Sequence, residues 1–152
     1  MFRKLATITA AALAAAMSAS AHEAPAVEFL NSGKVVPTTL PFSEAVRVGD
    51  TLYLSGQIGI KPGTLELVPG GIQAEARQTL ENIRASLAAH GYGMRDVVKC
   101  TVMLADIAEW ATFNEVYKAF FAPPYPARSA LGANGLAMQA RVEVECLAVR
   151  SS

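Results

Sequence analysis

Residues 72 to 104 read IQAEARQTLENIRASLAAHGYGMRDVVKCTVML, and the hydrophobic pattern changes once along them. Ile72, Ala76, Leu80, Ile83 and Leu87 recur at helical spacing and make one apolar face, and Gly91 follows as a stop. VVKCTVML, at 97 to 104, is β-rich instead. A helix with a single apolar face that gives way to a strand has to lie on a sheet, because neither element can bury its apolar side alone.

The segments on either side extend the pattern. EAVRV and TLYLSGQI read as two strands around the turn signal Gly49-Asp50, and KPGTLELVPGG at 61 to 71 is a connecting loop rich in glycine and proline. Asp106 is the expected N-cap of a second helix. In it Ile107, Trp110, Phe113, Tyr117 and Phe120 repeat every three or four residues as core packing, and Pro123-Pro124 ends it. ARSALGA and ARVEVECLAV close the chain as two strands, expected to form a hairpin for which Asn134-Gly135 offers a two-residue turn. The order β-β-α-β-α-β-β predicts an α+β fold, a mixed sheet with both helices packed on one face, in a single domain over 22–152 with its core at about 27–150.

The first 21 residues, MFRKLATITAAALAAAMSASA, are a secretory signal by pattern. Arg3 and Lys4 form the charged start, Leu5 to Met17 the apolar run, and Ala19-Ser20-Ala21 the cleavage site, which leaves His22 first. The run is shorter than the roughly 20 apolar residues that span a bilayer, so a periplasmic or secreted protein without a membrane anchor is expected. Of 13 basic and 13 acidic residues, cleavage removes two basic ones, and the mature chain carries a net charge of −2 with its cations scattered singly. Nothing in it forms the basic track of a nucleic-acid partner. Cys100 and Cys146 each lie in a strand-like run, where buried free thiols are the expectation and a disulfide is the alternative if the two strands are neighbours.

Most catalytic constellations are missing. The mature chain holds two histidines and no CxxC or HExxH, too few ligands for a zinc site. His90 beside Gly91 reads as a capping or solvated residue, and Ser55 lacks the surroundings of a nucleophile elbow. What remains is Arg128, the only charge between Lys118 and Arg141, and the carboxylates of ARVEVECLAV. Alternation puts Glu143 and Glu145 on one face and Val144, Cys146 and Ala148 on the other, with Arg141 able to pair with either glutamate. An arginine without a charge partner and a carboxylate on an apolar strand suit a small anionic substrate: a bidentate fork for its carboxylate and a base for a water proton.

SGQI at 55 to 58, RQTLENIRASL at 77 to 87, DVVKCTVML at 96 to 104, FNEVYKAFF at 113 to 121, PARS at 126 to 129 and VEVECLAV at 142 to 149 resemble, in that order, the Rid family, the YjgF or L-PSP group of reactive-intermediate deaminases. The resemblance implies a chorismate-mutase-like fold assembled as a homotrimer with clefts between subunits, and hydrolysis of 2-imino acids to 2-keto acids and ammonia without cofactor or metal. It implies that Arg128 binds the substrate carboxylate and Glu143 is the catalytic glutamate, with Phe42, Ser55, Gly56, Asn114 and Ala130 in or near the cleft. Three positions depart from the family pattern: Phe42 stands for a tyrosine, Glu44 for a glutamine, and Ala130 for a cysteine or β-branched residue. A non-catalytic protein binding a carboxylate metabolite in the same cleft is the alternative reading, and a ribonuclease a more distant one.

Overall fold

A computed structural model describes residues 24–150, so the signal segment expected over 1–21 and His22 lie outside the described residues. The helix expected from Ile72 runs over Gly71–Ala89 (α1), and Ile72, Ala76, Leu80, Ile83 and Leu87 are all buried. Each of the large aliphatic side chains contributes about 1.5–3 kcal/mol by leaving water. Gly91 adopts φ 82, a left-handed conformation open to glycine without steric cost, and the Tyr92 N–H donates back to the Leu87 carbonyl at 2.9 Å. The chain then enters the strand Val97–Leu104 (β5), where Cys100, Val102 and Leu104 point inward.

Ahead of α1 lie Val27–Leu30 (β1), Ala45–Val48 (β2), Thr51–Leu54 (β3) and Gln57–Ile58 (β4); after β5 come the helix Trp110–Lys118 (α2), Ala127–Gly132 (β6) and Val142–Val149 (β7). The strands form one sheet of order β1-β2-β3-β7-β5-β6, with β4 also paired to β7. Only β5 and β6 run parallel; the other pairings are antiparallel. Val142, Val144, Cys146 and Ala148 of β7 are buried in one core with the apolar faces of α1 and α2. The mixed sheet and its helical layer match the expectation. β1, hidden in a Pro-containing start, was not foreseen; among the described residues no strand pairs with its outer edge, and Val27 and Phe29 are exposed.

Several expectations are corrected. The last two strands are not a hairpin, since β5 lies between β6 and β7 and pairs with both. Asp106 caps a short 3-10 turn, Ile107–Glu109, through the Ala108 N–H at 2.9 Å, and α2 starts only at Trp110 and stops at Lys118. Ile107 and Trp110 therefore fall outside the stripe and are 51% and 40% exposed, while Phe113, Tyr117 and Phe120 are buried. Cys100 and Cys146 are not free thiols. They face each other across β5 and β7, with a Cα separation of 4.1 Å, and are joined as a disulfide. Arg141 pairs with neither glutamate of β7; its guanidinium forks onto Glu109 instead. His90 is the C-cap residue of α1, but its ring is buried beside Glu44 rather than solvated.

Candidate functional site

Glu143 belongs to the face of β7 that turns away from the helices, because its neighbours Val142 and Val144 take the buried positions. It is half-buried and lines a cavity of about 290 Å³ with Val36, Leu40, Phe42, Ile58 and Met138. Gly56, between β3 and β4, forms part of the same wall; a β-carbon there would overlap the Glu143 Oε1. The missing side chain is the space the carboxylate occupies. Burial, and then the Glu145 charge on the same face, push the Glu143 carboxyl above the ordinary glutamate range. A carboxylate that holds its proton more tightly is a better base.

Met138 and Gln139 hold left-handed backbone conformations, with φ 59 and 61, a strained arrangement for residues with side chains. The segment is tied down by the Arg141 N–H, which donates to the buried Glu75 of α1 at 2.8 Å. Ser55 turns its hydroxyl to the Ser43 carbonyl at 2.6 Å and so ties the segment before β2 to the segment after β3 instead of presenting a nucleophile.

Arg128 lies elsewhere. It is level with Cys100 of β5, which is level with Cys146 of β7, so its side chain rises on the helix face at the sheet's outer strand. Nη1 donates to the Asn114 Oδ1 at 2.7 Å, and the guanidinium carbon stands 4.6 Å from the centre of the Tyr117 ring and 5.6 Å from that of Trp110. Among the described residues no carboxylate lies within 4.0 Å of it, so one edge of the fork is free of any anion. Asn114, Tyr117, Lys118, Tyr125 and Arg128 line a second cavity of about 310 Å³. Burial raises the Tyr117 hydroxyl's pKa, against the pull of Arg128.

The residues singled out from sequence thus fall into two groups. Phe42, Gly56 and Glu143 share one cavity, Asn114 and Arg128 the other, and Ala130, exposed on β6, lines neither. Tyr117 and Tyr125 were not anticipated beside Arg128, nor Met138 beside Glu143. Tyr117 was legible only as core; its spacing of three from Asn114, which puts both on one side of α2, was the available signal. Among the described residues no cluster of three or more His, Cys, Asp or Glu side chains is placed to hold a metal ion.

Comparison with known proteins identifies the family. Residues 33–150 match the family model Endoribonuclease L-PSP. The 2-iminobutanoate/2-iminopropanoate deaminase of Bos taurus is 43% identical over 123 residues, 81% of this chain and 90% of that protein. Among solved structures, RidA from the Antarctic bacterium Psychrobacter sp. PAMC 21119 has a TM-score of 0.76 at 39% identity, covering 81% of this chain and 99% of that one. E. coli TdcF with bound serine has a TM-score of 0.75 at 36% identity, covering 82% and 99%. With its fold and most of its length matched, the chain belongs to the L-PSP (Rid) family.

Proposed function

We propose that the protein is a hydrolase of small imino or enamine carboxylates, releasing the 2-keto acid and ammonia, and that it acts as an exported homotrimer. The observation that carries this reading is the pair of half-equipped cavities: one has a guanidinium without an anion, the other a raised carboxylate against an apolar wall. Each lacks what the other holds. Because Arg128 rises on the helix face and Glu143 on the opposite face, two chains complete one site when the Arg128 cavity of one meets the Glu143 cavity of the next. The names of the relatives support the chemistry, and the serine in TdcF shows that a relative holds a molecule with a carboxylate and an amine.

In this site Arg128 takes the substrate carboxylate by its free edge, while Asn114 and Tyr117 hold the guanidinium plane. Glu143 accepts a proton from a water as the water oxygen bonds to the C=N carbon. That proton passes from Glu143 to the nitrogen to give the carbinolamine, the hydroxyl proton then moves by way of Glu143 to the same nitrogen, and the C–N bond breaks as the C=O bond forms, releasing the keto acid and ammonia. Val36, Leu40 and Phe42 give the substrate side chain an apolar wall. The signal pattern and the Cys100–Cys146 disulfide both support an oxidising compartment outside the cytoplasm.

The test is ammonia release from freshly generated 2-iminopropanoate, with Arg128→Ala and Glu143→Gln as controls; a rate equal to the uncatalysed one refutes the reading. Phe42, a ring without a hydroxyl, favours the second reading, a carboxylate-binding protein without turnover. That reading is the outcome if calorimetry detects a bound 2-keto acid and no imine is hydrolysed.

A further inference from the structure

Glu44 is completely buried immediately before β2, two residues after Phe42 of the Glu143 cavity. Its carboxylate is fully engaged: Oε2 accepts the Ser32 N–H at 2.7 Å, and Oε1 accepts the Ser86 hydroxyl of α1 at 2.5 Å. The His90 Nε2 lies 3.5 Å from Oε2 and has no hydrogen-bond partner of its own. His90 is also the only cationic or potentially cationic group among the described residues within 4.0 Å of this carboxylate. Burial pulls the Glu44 carboxyl up, but the bonds from Ser32 and Ser86, with His90 beside them, outweigh it and hold the group below the ordinary glutamate range.

The backbone of Glu44 is held as firmly. Its N–H donates to the Asn31 Oδ1 at 2.9 Å, and its carbonyl accepts the Ser55 N–H at 3.0 Å. Ser55 precedes Gly56, against whose α-carbon the Glu143 carboxylate packs, and Phe42 of the same cavity is two residues before Glu44. A buried ionised carboxylate is costly where an amide or an apolar group fills the same space, so a gain elsewhere is implied.

We propose that Glu44 is a positioning residue: from the C-terminal turn of α1 it fixes the two segments, Phe42–Glu44 and Ser55–Gly56, that set where the Glu143 carboxylate stands. The proposal rests on the hydrolase reading only for its kinetic arm. Glu44 does not reach the cavity; it acts through the Ser55 amide and the Phe42 backbone. Glutamine at this position can accept from Ser32 and donate to Ser86, whereas alanine leaves the buried Ser32 and Ser86 donors without an acceptor.

The experiment compares wild type, Glu44→Ala, Glu44→Gln and Ser86→Ala by residue-resolved amide exchange and by turnover of 2-iminopropanoate, well below each melting point. Glu44→Ala is expected to speed exchange of the Ser32 and Ser55 amides at least tenfold and to lower kcat about tenfold to a hundredfold. KM changes little, because in the proposed site the carboxylate is held by Arg128 of the neighbouring chain. Glu44→Gln is expected to restore both to within about threefold of wild type. Ser86→Ala, which removes a single bond, carries the same comparison in smaller measure if Glu44→Ala does not fold. A lowered melting temperature with kcat and Ser55 exchange unchanged overturns the proposal, as does a Gln variant no better than Ala. If the wild type itself hydrolyses no imine, the hydrolase reading fails and the exchange arm alone decides the role of Glu44.

Discussion

Arg128 and Glu143 stand on opposite faces of one sheet, three register positions apart along it, with β5 between their strands. No rotamer of either side chain brings their functional groups to one small molecule within a chain. If neighbouring chains share a site, mixing Arg128→Ala with Glu143→Gln regenerates sites holding both native residues. Two inactive variants, unfolded together and refolded as mixed oligomers, are expected to recover about a quarter of wild-type turnover. Sedimentation must show a trimer in the same sample. Recovery indistinguishable from zero in a trimer refutes the shared site.

Arg128→Lys tests the fork. Lysine keeps the charge but loses the planar pair of donors and the stacking on Tyr117. Affinity for a 2-keto acid, measured by calorimetry, is expected to fall about tenfold to a hundredfold, equivalent to about 1.5–3 kcal/mol. A lowered melting temperature with unchanged affinity identifies Arg128 as structural instead.

Gly56→Ala tests the seat of the carboxylate. The added methyl occupies the volume of the Glu143 Oε1, which has to swing away. Turnover is expected to drop about a hundredfold while keto-acid binding is retained, since Arg128 is untouched. Full activity in this variant shows that Glu143 acts from another rotamer.

Glu143 carries a stability cost that the reaction requires. Its folded pKa is raised, by burial and then by Glu145, so its linked stabilisation is present below the unfolded glutamate value and is lost as pH rises through the folded one. At neutral pH the ionised group works against the fold. Glu143→Gln is therefore expected to melt higher than wild type at pH 7 and to lose that advantage near pH 4. Glu44 has the opposite sign: its pKa is lowered, so its contribution is present above the unfolded value and fades as pH falls through the folded one. Melting curves from about pH 2.5 to 8 separate the two.

The Cys100–Cys146 bridge closes a sequence separation of 46 residues. Chain entropy gives it about 4 kcal/mol, an upper value for a cross-link of this span. Reductant, or the paired change to alanine, is expected to lower the melting temperature without changing kcat. No shift on reduction means the two thiols are not joined in solution.

What the residues alone revealed follows the range of the interactions involved. α1 was legible because its apolar face, its glycine stop and its length are local. So were the faces of β7, since alternation needs no partner. The bridge was not: it depends on β5 and β7 being adjacent, which is a property of strand order. For the same reason the last two strands looked like a hairpin. Arg128 was recognised by its isolation in charge, yet the face it occupies follows from its register with Cys100. Ile107 and Trp110 match a helical period, but the Asp106 cap starts a tighter turn that rotates them into solvent. Glu44 and His90, 46 residues apart, meet only once α1 lies across the sheet.

The place of β7 has a consequence for how the polypeptide is made. Residues 142–149 supply the central strand, paired with β3, β4 and β5, although they are the last of the described strands to be synthesised. Until they emerge, β3 has no partner on its inner side and the two halves of the sheet cannot join. Such late, long-range closure delays folding of the sheet until β7 has been made, and leaves the nascent chain extended until then.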